Sequence, residues 1–186
     1  MHHLLRQALR VYALVGSGSA QYRNAMSDPL ATLTPSPMRR LFAVGALGGL
    51  GILTLWLPFA TPPETIYIQG LLIALGLFFV FLATRLWAAT GRQVLLTEEG
   101  LFDTSGITIA EIDQIERVDR SPFAIKPSNG FVAVTRDPLG GGWAPGLWWR
   151  VGRRIGVGGV TPASQGKGMA DVLAVILAER AEAAKL

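Results

Sequence analysis

Three of the five tryptophans in this 186-residue chain fall within seven residues, at Trp143, Trp148 and Trp149, and Arg150, Arg153 and Arg154 follow within the next five. Arginine offers planar, bidentate donors suited to phosphate and carboxylate. The amphipathic tryptophan ring favours a bilayer interface. With Lys126, these six residues form a candidate binding surface for anionic lipid headgroups or for an acidic patch on a partner. Adjacent Trp148 and Trp149 on a strand must point to opposite faces, so one can enter a core while the other cannot easily do so. A competing reading puts the tryptophans in a core and pairs the arginines with acids on neighbouring strands.

Other chemistry fails on spacing. A phosphate-binding loop ending at Gly166-Lys167 needs glycine at 161 and a hydroxyl residue at 168, where the chain has Thr161 and Gly168. Dinucleotide fingerprints starting at Gly16, Gly49, Gly140 or Gly156 fail at Gln21, Thr54, Pro145 and Thr161. The chain has no cysteine, and its two histidines are His2 and His3. That excludes a disulfide framework and a thiolate metal site, and leaves a histidine-based centre only a chain terminus to build on. Glu111, Asp113, Glu116 and Asp119 interleave with Arg117 and Arg120, as on a solvated face. No catalytic residue, metal or cofactor is expected, and the chain does not read as an enzyme.

The elements that would hold the Trp/Arg surface begin with two apolar runs. Half of the chain is hydrophobic and 16% is charged, below the roughly 25% usual in soluble domains. Residues 41–60 and 66–84 carry no charge. A helix rising about 1.5 Å per residue needs roughly 20 apolar residues to cross a ~30 Å hydrocarbon core. Residues 41–90 therefore read as a two-helix transmembrane hairpin, the first span ending at Pro58 and the turn lying at residues 61–65. Arg39, Arg40, Arg85 and Arg92 sit at the open ends, and the turn has neither lysine nor arginine. The positive-inside rule then gives a multi-pass inner-membrane protein with both termini cytoplasmic. Trp56, Tyr67 and Trp87 fall at the interfaces, as an aromatic belt requires. Gly45 and Gly49 have helix-packing spacing. They serve either the crossing of the two spans, the favoured reading, or a face for another membrane protein.

Residues 1–40 form a basic segment and linker, partly disordered or interfacial, with five arginines against one aspartate. Leu4, Leu5, Ala8, Leu9, Tyr12 and Ala13 recur at helical spacing, which suits an amphipathic helix on a membrane surface. No uninterrupted apolar run marks a cleavable signal peptide. Met26 would itself make a plausible start, which leaves residues 1–25 open as an extension. Residues 27–37 have linker composition. From residue 93 onward, 10 basic residues face 11 acidic ones, which argues against a nucleic-acid module. This part alternates short β-type runs with turns: 94–97, 101–102, 106–109, 114–119, 123–125 paired with 131–135 across Asn129-Gly130, and 147–151 paired with 154–157. Residues 136–146 read as an irregular loop. Residues 167–185 read as an amphipathic helix with Met169, Val172, Leu173, Ile176 and Leu177 on one face.

Two spans, the opening VLLTEEGLFDTSG…IAEIDQIERV at residues 94–118, a hairpin-rich stretch and a closing helix together resemble the bacterial pleckstrin-homology-like (PH-like) membrane proteins. The likeness covers roughly residues 41–182 and rests on hydrophobicity and turns. It implies a membrane α-helical hairpin plus a small all-β PH-like barrel, at residues 93–186, of two near-orthogonal sheets capped by the C-terminal α-helix. It also implies binding or scaffolding at membranes, with no catalytic residues. Residues 140–159 match no family pattern. The expected function is a membrane-anchored cytoplasmic binding or scaffolding module whose partners are membrane lipids or a membrane protein and not nucleic acid. The alternatives are an accessory subunit of a larger inner-membrane complex and a headgroup binder acting through the Trp/Arg surface. The charge bias makes one direct prediction. A topology reporter fused after Leu186 should read cytoplasmic and one inserted at residues 61–65 periplasmic; the reverse pattern would refute the orientation.

Overall fold

The computed structural model describes residues 29–119 and 126–185. Helices α1 (Pro37–Ala60) and α2 (Ile66–Ala89) have 24 residues each, about 36 Å at 1.5 Å per residue. Pro37 suits the first turn of α1, where a missing N–H costs nothing. Pro58 does not end α1, which runs on to Ala60. Only one carbonyl, a turn earlier, loses its partner, and the helix terminates two residues later. Both helices are long and apolar enough to cross a membrane, and only 11% of each one's most apolar stretch is buried. A helix in a soluble core would be mostly covered. Here Phe42, Leu53, Phe59, Leu71 and Leu77 point outward.

The helices cross at Gly51 and Gly76. A Cβ on Gly51 would lie 2.9 Å from the Val80 nitrogen, and one on Gly76 would lie 2.9 Å from the Leu55 nitrogen. Only glycine admits so close a backbone approach. This corrects the assignment of the crossing to Gly45 and Gly49, at which an added Cβ would meet nothing within 4 Å. Those two glycines lie off the crossing face.

Among the described residues, nine strands form two antiparallel sheets. The first has the order β1 (Ala31–Leu33), β2 (Val94–Leu96), β3 (Gly100–Asp103), β4 (Ile107–Glu111). The second has the order β5 (Ile115–Asp119), β6 (Phe131–Thr135), β9 (Arg154–Val157), β8 (Trp148–Val151), β7 (Gly142–Ala144). A 3₁₀ turn at Ile112–Gln114 joins them, capped reciprocally by Glu111 and Gln114. The sheets do not close into the expected barrel, because among the described residues no ladder links a strand of one to a strand of the other.

Helix α3 (Ala163–Ala183) packs on β1, β5 and β6, bridging the two sheets. Met169 and Leu173 are fully buried in a core shared with Leu33, Leu96, Leu101, Ile109, Ile155 and Val157. Val172, Ile176 and Leu177 pack at its margin, so the apolar stripe read from the sequence is the buried face.

Strand β1 lies within the stretch assigned to a linker. Its residues Ala31, Thr32 and Leu33 pair with Leu96, Leu95 and Val94, and Leu33 is fully buried. Three residues bounded by Ser, Thr and Pro are too few for periodicity to mark a strand. The loop expected at 136–146 likewise contains β7, held by Trp143 opposite Trp149.

Residues 123–125, the proposed first arm of the Asn129-Gly130 hairpin, lie outside the described residues, as do residues 1–28 with their amphipathic run. The second arm is β6, paired with β5 and β9. Asn129 takes a positive φ of 56°. Gly130 is needed for closeness: a Cβ there would collide with the Val157 carbonyl.

Because β1 completes the core from the far side of the hairpin, Leu33→Ala should destabilise the β domain by about 2–5 kcal/mol. Denaturant unfolding of the full chain in detergent, followed by tryptophan emission, would measure it. An unchanged midpoint would show β1 to be dispensable.

Candidate functional site

The adjacent tryptophans divide as strand geometry requires. Trp148 faces inward and is 3% exposed, and its Nε1–H donates to Asp103 Oδ2 at 2.8 Å. Asp103, fully buried, ends β3. Its Oδ1 accepts the Ser105 N–H at 2.8 Å, and Arg92, just beyond α2, approaches Oδ2 at 3.7 Å. A buried carboxylate is tolerated when its lone pairs are filled and a cation stands nearby. Asp103 meets both conditions and so ties the end of α2 to β8 of the second sheet. The sequence does not advertise this role, because Asp103-Thr104-Ser105-Gly106 reads as turn chemistry. The turn is real, but it engages only one of the two carboxylate oxygens.

Trp149 faces outward and lies flat over Gly156, where any side chain would overlap its ring. Trp143 stands opposite Trp149 across the β7–β8 ladder and is 54% exposed. With Val151, 68% exposed, and Arg154, which pairs with Val151 across β8–β9, they form an apolar face with a cation at its edge.

The three arginines separate. Arg150 reaches across the gap between the sheets. Its Nε donates to the Gly140 carbonyl and its Nη1 to the Ile109 carbonyl, each at 2.5 Å, with Thr108 O at 3.3 Å. In this way it serves the outer edge of β4 as a substitute for a tenth strand. Arg153 donates to the Thr135 carbonyl at 2.8 Å and pairs with Glu116 at 2.7 Å. Arg154 is exposed, and its side chain makes no ion pair or hydrogen bond among the described residues. Lys126 is brought to none of these; it lines a groove of about 510 Å³ with Asp119, Asn129, Lys167 and Asp171. The structure therefore gathers Trp143, Trp149 and Arg154 on one face. Trp148, Arg150 and Arg153 are committed to the fold, and Lys126 lies elsewhere.

Of the clustered acids, Asp113 pairs with Arg180 of α3 and Glu116 with Arg153 and Arg117. Among the described residues no group of three acids or histidines is placed to hold a metal ion.

A second set of contacts fixes this face relative to the helices. The Ser36 N–H donates to the Val160 carbonyl at 2.9 Å, and Arg39 Nη1 donates to the Thr161 carbonyl at 2.8 Å. The Arg40 guanidinium stacks 3.8 Å from the Trp87 ring centroid and donates to the Trp87 carbonyl at 2.9 Å. It thereby places a cation at the negative end of α2. Gly146, at a φ of 73°, seats the β7–β8 turn against Leu86 and Thr90. Ala89 belongs to the core itself. The β domain is thus built onto the open end of the hairpin.

Replacing Asp103 with alanine strands two donors, the Trp148 indole and the Ser105 N–H, and removes the carboxylate beside Arg92. Leaving buried polar groups unsatisfied costs about 1–3 kcal/mol, so Asp103→Ala should lower the melting temperature of the full chain in detergent. Asp103→Asn, which keeps an acceptor for the indole, should lose less. Equal losses in the two variants would show that the indole bond contributes little.

No protein-family model, curated protein or solved structure matches the chain.

Proposed function

We propose that the chain is a membrane-anchored cytoplasmic binding or scaffolding module of PH-like type, carried by a two-span hairpin in an inner membrane with both termini cytoplasmic. One observation carries this reading. The hairpin, apolar over its outer surface, is an insertion between the paired strands β1 and β2. A bilayer supplies the apolar surrounding that helices of that character call for, and the β domain would then lie against the leaflet at their open end. Two antiparallel sheets about one core, with a C-terminal helix bridging them, support the PH-like likeness. The unclosed sheets, and the β7–β8 hairpin contributed by the Gly/Trp-rich stretch, are departures from it.

The binding face in this proposal is the outer side of the second sheet, with Trp143 and Trp149 as anchors and Arg154 as the cation. Exposed aromatic and arginine side chains on a rigid scaffold are the residue types that dominate protein interfaces. With Arg150 and Arg153 tied to internal carbonyls and Glu116, little free positive charge remains for lipid headgroups. A protein partner is therefore favoured over a lipid one. A second reading, an accessory subunit of a larger inner-membrane complex, draws support from Gly45 and Gly49, which lie on a surface of α1 that the hairpin leaves uncovered.

A photo-crosslinking residue at Val151 in the full chain, in native membranes, tests the proposal. The expected result is an adduct of discrete protein mass, at least about ten-fold weakened by Trp143→Ser with Arg154→Glu at an unchanged melting temperature; a loss of that size corresponds to about 1.4 kcal/mol. Adducts with lipid alone would favour the headgroup reading. The absence of any adduct would remove this face as a binding surface.

A further inference from the structure

Between the start of β1, the β2–β3 turn and one flank of α3 lies an open groove of about 530 Å³. Leu30, Val172, Val175 and Ile176 give it an apolar floor, with Leu30 45% and Val175 56% exposed. Glu98 and Glu179 stand on its rim with no ion pair among the described residues, and Asp171 adds a third acid. Arg180, also at the rim, is committed to Asp113 and to the Glu98 carbonyl. The groove is therefore an apolar trough edged with negative charge.

The chain supplies a complement of its own. The Leu30 N–H donates to the Leu96 carbonyl at 2.8 Å, so residues 1–28 join the fold at the mouth of this groove. Strand β1 then runs away from that point toward α1. This places the junction at the end of the domain remote from the hairpin. Residues 1–28 hold Arg6, Arg10 and Arg23 against Asp28 alone, with Leu4, Leu5, Leu9 and Tyr12 at helical spacing.

We propose that the basic amphipathic run at residues 4–13 docks in this groove, its leucines on the Leu30–Val175–Ile176 floor and its arginines against Glu98 and Glu179. About 16 residues separate the run from Leu30, a chain length whose root-mean-square reach is about 20–25 Å. Such a tether gives an effective concentration in the millimolar range, so a docking constant of about 0.1 mM keeps the groove occupied roughly nine-tenths of the time. The groove is thereby an intramolecular binding site for the N-terminal segment. This holds whatever the Trp143–Trp149 face binds, and it competes with a surface-lying role for that segment at the membrane.

The absence of cysteine from the chain allows a clean test. Val175→Cys is labelled with a water-soluble maleimide in detergent, in the full chain and in a chain beginning at Met26. Val151→Cys, on the far face, serves as the control. The expected result is labelling of Val175→Cys about ten-fold slower in the full chain, as an effective concentration well above the docking constant requires, with equal rates for the control. Leu5→Glu with Leu9→Glu in the full chain should restore fast labelling, which keeps the test valid if the shortened chain folds poorly. Equal Val175→Cys rates in the full chain and the Leu5→Glu/Leu9→Glu chain would overturn the proposal. Protection that disappears on dilution would also overturn it, since the cover would then be a second copy of the chain.

Discussion

The antiparallel pairing of β1 with β2 is the constraint on which the rest of the molecule depends. Leu33 opposite Val94 brings together the residue that leads into α1 and the residue that follows α2. A chain that leaves a sheet and must return to the adjacent register position needs an excursion that closes on itself. Two antiparallel helices of equal length provide it, and the Gly51–Gly76 approach keeps them close enough for their ends to meet one sheet edge. Arg39, Arg40 and Ser36 then fasten the open end, and Ala89 delivers the last turn of α2 into the core. The position of the aromatic face follows from this closure, since the β7–β8 turn rests on Leu86 and Thr90.

Arginine does much of the joining between elements. Arg92 links α2 to Asp103, Arg150 spans the two sheets, Arg153 ties the β8–β9 turn to β5 and β6, and Arg180 fastens α3 to the 3₁₀ turn. The acceptors are mostly backbone carbonyls at places where a ladder stops: the outer edge of β4, the end of β6 and the last turn of α2. A planar guanidinium can serve two such oxygens at once where a lysine would serve them as a point charge. Hydrogen bonds to charged donors contribute more than neutral ones, about 1.5–3 kcal/mol when sheltered, and less at half-exposed positions such as Arg153. The consequence for recognition is subtractive. A sequence that looks richly basic near residue 150 offers a surface whose free charge is largely Arg154.

Much of the fold was legible in the sequence because it is written in long or strongly patterned segments. The two charge-free runs, the stripe from Met169 to Leu177, and the strands of the first sheet after residue 93 all announce themselves through periodicity. The opposed orientation of Trp148 and Trp149 follows from strand geometry alone. What escaped was short or non-local. Three-residue strands such as β1 and β7 carry too little pattern, and β1 acquires its identity only from a partner on the other side of the hairpin. Asp103 is masked by its own turn-forming neighbours. Arg150 could be assigned only once the carbonyls beside it were placed, whereas the pairing of Arg153 with Glu116 is the one the acid-pairing alternative describes. The choice of Gly45 and Gly49 over Gly51 and Gly76 failed because several glycines share α1, and spacing does not say which of them faces α2.

The order of synthesis gives the β1–β2 pairing a further meaning. Residues 31–33 leave the ribosome first, and their partner strand follows roughly 60 residues later, several seconds at common elongation rates. For a hairpin that crosses a bilayer, both helices must have been threaded through and returned before the first sheet can gain its edge and the core its Leu33. Completion of the domain is then conditional on successful insertion. A chain whose second helix failed to enter the bilayer would leave β1 and β2 on opposite sides, with an open core that quality-control proteases can recognise. In a membrane-spanning chain, the same few residues that hold the finished molecule together would thus report, during its biogenesis, whether both helices had been inserted.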